Sequence, residues 1–377
     1  MDRIKDKIQC NPTVKLTKGE TYPFVGIDRI TSGNRDIAIA DMEVYSGQSC
    51  SKFRKGDTIM ARITPCLENG KIAQYNLDSE IAMGSTELFV FREIENISDN
   101  DYIYYLISTD YVRNNAVNSM TGASGRQRAD IKFIGKLKWD FPEYDVQCKI
   151  GKILSTYDDL IEKNNRKIEI LQDMAEELYK EWFFRFRFPG YKTAKFIDGI
   201  PEGWEYIKLE NLAYISTGKC NREDAEEDGI YPLFDRSQEI KKSNNWLKDC
   251  EAIIVPGEGT SFIPRYYKGK FNLHQRCYCV EPKQDNIGFF LYQTLMLNRI
   301  YFLYVATGAT VPSLRQNNFT NFKVLMPKKE LYTAYNKYST TWFEEITKLE
   351  YQNENLKQQR DLLLPRLMSG KLEVKVS

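Results

Sequence analysis

Thr121-Gly122-Ala123 opens a stretch that reaches Pro142 and runs on into a long segment with no Pro or Gly between Gly151 and Pro189. Thr307-Gly308-Ala309 opens a second stretch that reaches Pro327 and another long helical run. The two openings lie 186 residues apart and the two prolines 185. The spacing predicts a duplicated unit, a globular head followed by a long helix, and so two similar heads held a fixed distance apart.

Working outward, residues 1–146 read as short strands and turns. Asp57–Ile63 and Glu87–Phe91 carry strand-like apolar residues, and Asp101–Asn115 reads as a short amphipathic helix. Residues 205–330 repeat that order. Glu251–Val255 and Arg276–Val280 stand where the earlier strands stood, and Ile287–Tyr304 supplies the helix. Phe188-Pro189-Gly190 and Gly199-Ile200-Pro201-Glu202-Gly203-Trp204 form a turn-rich connector between the heads. The expected fold class is α+β, with two similar α/β heads separated by an antiparallel pair of long helices. The expected domains are 1–146 (first head), 147–188 (first long helix), 189–332 (connector and second head) and 333–377 (second long helix and tail).

The first helix carries Ile150, Leu154, Tyr157, Ile161, Asn164, Ile168, Leu171, Ala175, Leu178 and Trp182, alternating by four and three residues. Such a seam wants a partner helix. The second gives Tyr335, Ser339, Trp342, Ile346, Leu349, Asn353, Leu356, Arg360, Leu363 and Leu367 at the same spacing, with Ser339 and Arg360 as polar interruptions. Asn164 and Asn353 either fix register inside the seam or face water at a helix end. Chain order makes any pairing of the two helices antiparallel. At about 1.5 Å per residue, some 33 residues make a rod of roughly 50 Å, longer than the roughly 34–36 Å of one B-DNA turn. Trp182-Phe183-Phe184-Arg185-Phe186-Arg187-Phe188 is too apolar for a free helix end and must pack on something.

Composition narrows the class. The chain has 377 residues, 42% hydrophobic and 28% charged, with a net charge of +1, which fits packed domains and not a disordered polyelectrolyte. No apolar run approaches the roughly 18 residues of a bilayer span, and Met1-Asp2-Arg3-Ile4-Lys5 lacks the apolar core of a signal peptide. A soluble cytoplasmic protein with reduced thiols is the expectation. His274, Cys277 and Cys279 are the closest ligand cluster, but this is the only histidine and no fourth ligand is apparent, so the cysteines read as buried strand residues. Residues 1–146 carry 19 basic against 21 acidic side chains and residues 189–332 carry 19 against 17. Any nucleic-acid contact must therefore come from local patches.

Several segments resemble the specificity (S) subunit of type I restriction-modification enzymes. They are Pro142 with Gln147-Cys148-Lys149-Ile150-Gly151-Lys152-Ile153-Leu154, then Leu178-Tyr179-Lys180-Glu181-Trp182-Phe183 through Phe188-Pro189-Gly190, and Gly199–Trp204. Arg360-Asp361-Leu362-Leu363-Leu364-Pro365-Arg366-Leu367-Met368-Ser369-Gly370-Lys371-Leu372 is the most telling. The resemblance spans essentially the whole chain. It implies two target-recognition domains, each reading one half of a split, asymmetric sequence in double-stranded DNA. It implies that the helix pair sets the spacing and docks two methyltransferase subunits, joined by restriction/motor subunits, in a bacterial or archaeal cytoplasm. Adenine would be methylated with S-adenosylmethionine, and restriction would use ATP with Mg, all held by the partner subunits and none by this chain. The first head departs from the pattern in lacking the Gly-Trp opening of the second. In this family the C-terminal end can complete the surroundings of the first head.

A fused enzyme would need motifs that are absent. Thr217-Gly218-Lys219-Cys220 lacks the upstream glycine and the hydroxyl of a phosphate loop. No Asn-Pro-Pro-Tyr/Phe or Asp-Pro-Pro-Tyr/Phe adenine-methylation motif occurs, and one histidine does not make a nuclease or triad site. Glu239-Ile240-Lys241 is too short a match to a nuclease motif to count. The runner-up reading is a non-catalytic coiled-coil adaptor without DNA sequence reading. For DNA, donors must reach base edges and cations must meet phosphates. In the first head, Arg113, Arg126 and Arg128 lie in an acid-free stretch, and Arg62 and Lys71 flank another strand and turn. In the second, Arg265, Lys268, Lys270 and Arg276 lie in an acid-free stretch with Tyr266 and Tyr267 between them, Lys219 and Arg222 follow Gly218, and Arg315 sits in the loop corresponding to Arg126–Arg128. The assembly residues are Ile161, Asn164, Ile168, Leu171, Leu178, Trp182, Ile346, Leu349, Asn353, Leu356 and Leu363.

Overall fold

The central strands of each head have a core on each of their two faces. The computed structural model describes residues 1–374 apart from Ser124 and Ala309. It divides into two units, Met1–Arg166 with the chain from Leu349 onward, and Lys167–Lys348.

In the first unit, one sheet orders Ile8–Cys10, Leu88–Glu93, Thr58–Ala61 and Ile72–Gln74. A second orders Asp41–Val44, Thr21–Val25, Ile81–Gly84 and Ser51–Arg54. Only Thr21–Val25 with Ile81–Gly84 is parallel. Alternation along a strand sends neighbouring side chains to opposite faces. Ile59, Ala61, Leu88 and Val90 therefore enter a core between the sheets, whereas Met60, Phe89 and Phe91 enter a core roofed by helices. That two-sided burial is why these strands read as unbroken apolar runs.

The second unit repeats the order in one six-stranded sheet: Ala213–Thr217, Cys277–Pro282, Lys248–Pro256, Arg265–Leu273, Tyr231–Phe234 and Lys241–Ser243. Again a single pair, Tyr231–Phe234 with Arg265–Leu273, is parallel. Lys248–Pro256 stands for both Ser51–Arg54 and Thr58–Ala61 of the first unit. There the strand breaks at Gly56, at φ +87°. The break is held by Asp57, 1% exposed, which accepts from the Arg54 amide at 2.7 Å and from Arg92 Nε at 2.7 Å. Cys277 and Cys279 face the inner core with Phe234 and Phe271.

The helix expected over Asp101–Asn115 is two helices, Asn100–Ser108 and Asp110–Asn118. The side chain of Thr109, extended between them, accepts from the Val112 amide and caps the second; such caps stabilise by about 1 kcal/mol. The expected helix over Ile287–Tyr304 likewise breaks at Asn298 into Gly288–Leu297 and Arg299–Val305. The first head opens with Asp2–Arg3 paired to Lys138–Trp139, as Glu205–Lys208 pairs with Lys323–Met326 in the second. Leu372 and Val374 pack against the first head's helix-roofed core; Val376 lies outside the described residues. Phe183 and Phe188 are buried against Trp204 in the second head. That contact is where the aromatic helix end goes, although Phe184 stays 76% exposed.

The long helices run over Tyr144–Tyr179 and Lys329–Met368. Every seam position named above is buried or half-buried. In the first unit the pairing is antiparallel: Asn164 Nδ2 donates to Asn353 Oδ1 at 2.9 Å, and further along Arg360 donates to Asp158. Asn353 also donates to Asn165 Oδ1 at 2.8 Å. Both seam asparagines are thus buried and bonded, not facing water. In the second unit Tyr179 and Trp182 pack against Tyr335 and Tyr338, and Tyr335 Oη donates to the Ala175 carbonyl at 3.0 Å.

Arg360, a blemish in the heptad, joins a buried network. Asp158 accepts from Arg360 and from Tyr105 Oη, and Arg360 reaches the Gly33 carbonyl at 3.4 Å. Arg35 bonds Asp36 at 3.0 Å and Asp159 at 2.5 Å beside it. Removing one partner of a buried ion pair strands the other charge and costs about 3–5 kcal/mol. Arg360→Met should lower stability by roughly that much, and Asp158→Leu on top of it should recover part of the loss. Chemical unfolding of the two variants measures both.

Candidate nucleic-acid interface

In the first head, loop 62–70 lies against loop 121–129. The Arg62 amide donates to the Glu87 carbonyl at 2.9 Å, Ala129 N to the Arg62 carbonyl at 2.8 Å, and Thr64 N to the Gln127 carbonyl at 3.1 Å. This brings three charged side chains together. Arg128 grips Glu87 with Nε (2.9 Å) and Nη2 (2.6 Å), and Arg62 Nε lies 3.3 Å from the same carboxylate. The Arg128 guanidinium is the main cause that holds the Glu87 carboxyl below its usual range. Arg126 is exposed on the loop tip, and its guanidinium has no partner among the described residues. Arg113 lies apart, packed on Gly70, and faces a cleft of about 560 Å³ with Tyr104, Trp139 and Arg360.

The second head builds the same junction. Gly257 N donates to the Arg276 carbonyl and Leu314 N to the Gly257 carbonyl, each at 2.8 Å. By these bonds Gly257 matches Arg62, Arg276 matches Glu87 and Leu314 matches Ala129. Glu258 meets Arg236 Nη1 at 2.6 Å and Arg276 Nη1 at 3.1 Å. Arg222, Arg236, Glu258 and His274 line one cleft of about 310 Å³. His274 Nδ1 accepts from the Arg276 amide at 3.0 Å, and burial pushes its pKa down. Lys219 is exposed on the adjoining turn, whose Lys219 amide donates to the Leu273 carbonyl at 3.0 Å. The matching also shifts one expected correspondence. Arg315 stands at the N-cap position of the helix Gln316–Thr320 and its amide donates to Asn318 Oδ1 at 2.6 Å, as Asp130 stands at the N-cap position of Ile131–Lys136, so its counterpart is Asp130 and not a residue of Arg126–Arg128.

Two named cations brace the fold. Lys71 Nζ donates to the Ile27 carbonyl at 2.9 Å. Arg265 donates to the Asp235 and Ser237 carbonyls at 2.6 and 2.9 Å and lies 5.1 Å over the Phe234 ring. In each head the braced loop follows the strand of the parallel pair. Lys268 and Lys270 stand opposite Glu251 and Asp249 in the strand register, and Lys270 lies over Trp246, away from Glu258. The residues that sequence reasoning missed are Glu87, Glu258 and Arg236. Their only signal was a charge at a strand end, which is common. His274 does not join Cys277 and Cys279 in a ligand set. The candidate metal group among the described residues is Cys250, Cys279 and Glu281, and Lys248 Nζ already sits 2.8 Å from the Glu281 carboxylate.

Comparison with known proteins matches residues 5–172 and 201–362 to the family described as the type I restriction modification DNA specificity domain. The EcoDI specificity subunit of Escherichia coli is 31% identical over 177 residues, which cover 46% of this chain and 39% of that relative's length. The putative MjaX specificity subunit of Methanocaldococcus jannaschii is 24% identical over 412 residues, covering 99% of this chain and 92% of the relative. A crystal structure of the type I restriction-modification S subunit from M. genitalium shares the fold, with a TM-score of 0.61, 15% identity and coverage of 99% of this chain and 96% of that one.

The loop braced by Arg265 carries a pH dependence. Burial pushes the Asp235 carboxyl up, but Lys241 Nζ at 2.6 Å and the Ser237 hydroxyl and amide outweigh it and hold its pKa at about 2. A carboxylate depressed in the folded state stabilises above its unfolded pKa. The contribution should be complete above about pH 4 and fade as pH falls toward about 2. Asp235→Asn should therefore melt with a shallower pH dependence than the wild type between those values.

Proposed function

We propose, for a chain that belongs to the type I restriction-modification DNA specificity family, that each head reads one half of a bipartite, asymmetric DNA site and that the chain performs no chemistry itself. One observation carries this reading. Two heads of the same topology each form the same loop junction, and each places half-exposed arginines there from different positions. Unlike readers on a like scaffold suit a target with unlike halves. Arg126, Arg128 and Arg62 in the first head and Arg276, Arg222, Lys219 and Arg315 in the second are the donors in reach of that junction. Lys71 and Arg265 brace the loops after the parallel-paired strands, and the second of these loops carries Arg236.

The helix pair acts as the ruler between half-sites and as the platform on which two methyltransferase subunits dock, with restriction/motor subunits joining them. S-adenosylmethionine, and ATP with Mg for restriction, belong to those partners. Adenine methylation then falls where both heads are satisfied. No helix among the described residues is long and apolar enough to cross a membrane, in keeping with work on DNA in the cytoplasm. The family match over both heads supports sequence reading over a bare coiled-coil adaptor.

Methylome sequencing of cells with and without this gene, the methyltransferase partner being expressed in both, tests the reading. An adenine mark in a two-part motif should appear only with the gene, and identical marks in both would refute it. Arg126→Ala should weaken DNA binding and flatten its dependence on salt by about one unit of slope while the subunit assembly stays intact, as a salt titration of binding reads. Inserting four residues near Asn164 shifts the heptad phase and should abolish assembly or change the motif's spacer length; an unchanged motif would refute the ruler.

A further inference from the structure

We infer that Glu87 and Glu258 are the positioning residues of two base-reading units, each holding a pair of arginines so that their free N–H edges read a G·C pair in that head's half-site. The inference rests on the DNA-reading proposal above and names the residues that would set its specificity.

The same set of contacts, one acid with two arginines, recurs in both heads. One carboxylate touches two guanidiniums: Glu87 with Arg62 and Arg128, and Glu258 with Arg236 and Arg276. The carboxylates lie beneath their arginines. The Glu87 side chain is 21% exposed and those of its arginines 35% and 41%, and the Glu258 side chain is 17% exposed and those of its arginines 48% and 55%. Half-exposed ion pairs of this kind add little to stability, so holding the fold together is a poor account of them.

The guanidinium chemistry offers a better one. An arginine presents five N–H donors in a planar fork, and guanine offers O6 and N7 as a matched pair of acceptors in the major groove. Arg128 spends Nε and one Nη2 hydrogen on Glu87 and reaches the Arg126 carbonyl with Nη1 at 3.4 Å, which leaves one hydrogen on each terminal nitrogen for a further acceptor. The terminal nitrogens of Arg62 have no hydrogen-bond partner among the described residues. An unheld arginine must lose its rotamer freedom when it docks, whereas one already gripped by a carboxylate is pre-organised for a planar target.

The two heads also build this arrangement from different positions. The backbone bonds equate Glu87 with Arg276, an acid in one head and a base in the other. The second head's carboxylate comes instead from Glu258, the residue after Gly257. The shared scaffold does not demand the triad, yet both heads have one. Exchanging the places of acid and base also turns the free guanidinium edges differently, as two unlike half-sites require.

The test compares methylome motifs from cells expressing the full chain with its methyltransferase subunits as wild type, Glu87→Gln and Glu258→Gln. Glu87→Gln should relax one half-site at a G·C pair, raising methylation of the substituted site roughly tenfold or more relative to the cognate one, and leave the other half sharp. Glu258→Gln should do the reverse. Arg128→Lys and Arg276→Lys, which keep the charge and lose the fork, should blur the same halves, and they decide the matter if a glutamine variant fails to fold. A wild type without any two-part motif would sink the DNA reading itself. A sharp wild-type motif that both variants leave unchanged, blur in both halves equally, or lose entirely while melting like the wild type would overturn only the role of the carboxylates.

Discussion

The Asp158 carboxylate is buried where two helix segments meet the loop that carries Gly33 and Arg35, and the first unit is arranged around keeping it satisfied. Burial pushes its pKa up, and the Arg360 guanidinium and Tyr105 hydroxyl pull it back. A charge removed from water is tolerated only when paired and hydrogen-bonded. Helix register, the lie of the Gly33 loop and the position of Tyr105 are therefore mutually constrained. Six residues away Asn164 meets Asn353, a second polar contact in an apolar seam. Slipping one helix along the other would strand all of these groups at once, which a purely apolar seam would not penalise so sharply.

The two heads show how one topology is built from different local chemistry. In the first, Gly56 and a buried Asp57–Arg92 pair break the long strand. In the second, Lys248–Pro256 runs through without a break. Both leave the same loops at the same junction, because the strand order and the single parallel pairing are the same. Lys71 and Arg265 brace equivalent loops from positions that are not equivalent in the strand register, each by donating to backbone carbonyls. Local solutions differ, and the scaffold they support does not.

Much of the architecture was legible from the chain. The 186-residue repeat announced two heads, and the four-three spacing of Ile150 through Trp182 announced a paired helix. Strand existence was readable and helix continuity was not, because Thr109 and Asn298 act through caps and backbone angles that leave only a faint periodicity signal. The interface was half legible. Arg128 and Arg276 stood out as cations in acid-free stretches and Arg62 as a cation flanking a strand and turn, yet their partners Glu87 and Glu258 did not, because an acid at a strand end has no marker until the fold brings a guanidinium to it. Lys71 and Arg265 carried the same signal as the others and proved to spend their donors on carbonyls.

What the sequence determined by itself was periodic and local: the duplication, the heptad stripe, the apolar runs of the central strands and the absence of catalytic motifs. These follow from repeat spacing and side-chain alternation, which need no knowledge of distant residues. The tertiary structure alone decided which charges meet. The Arg–Glu–Arg junctions, the Asp158–Arg360 pair and the Asn164–Asn353 bond join residues far apart in the chain. A long-range contact depends on strand order and helix register together, and neither is written at the positions that make it.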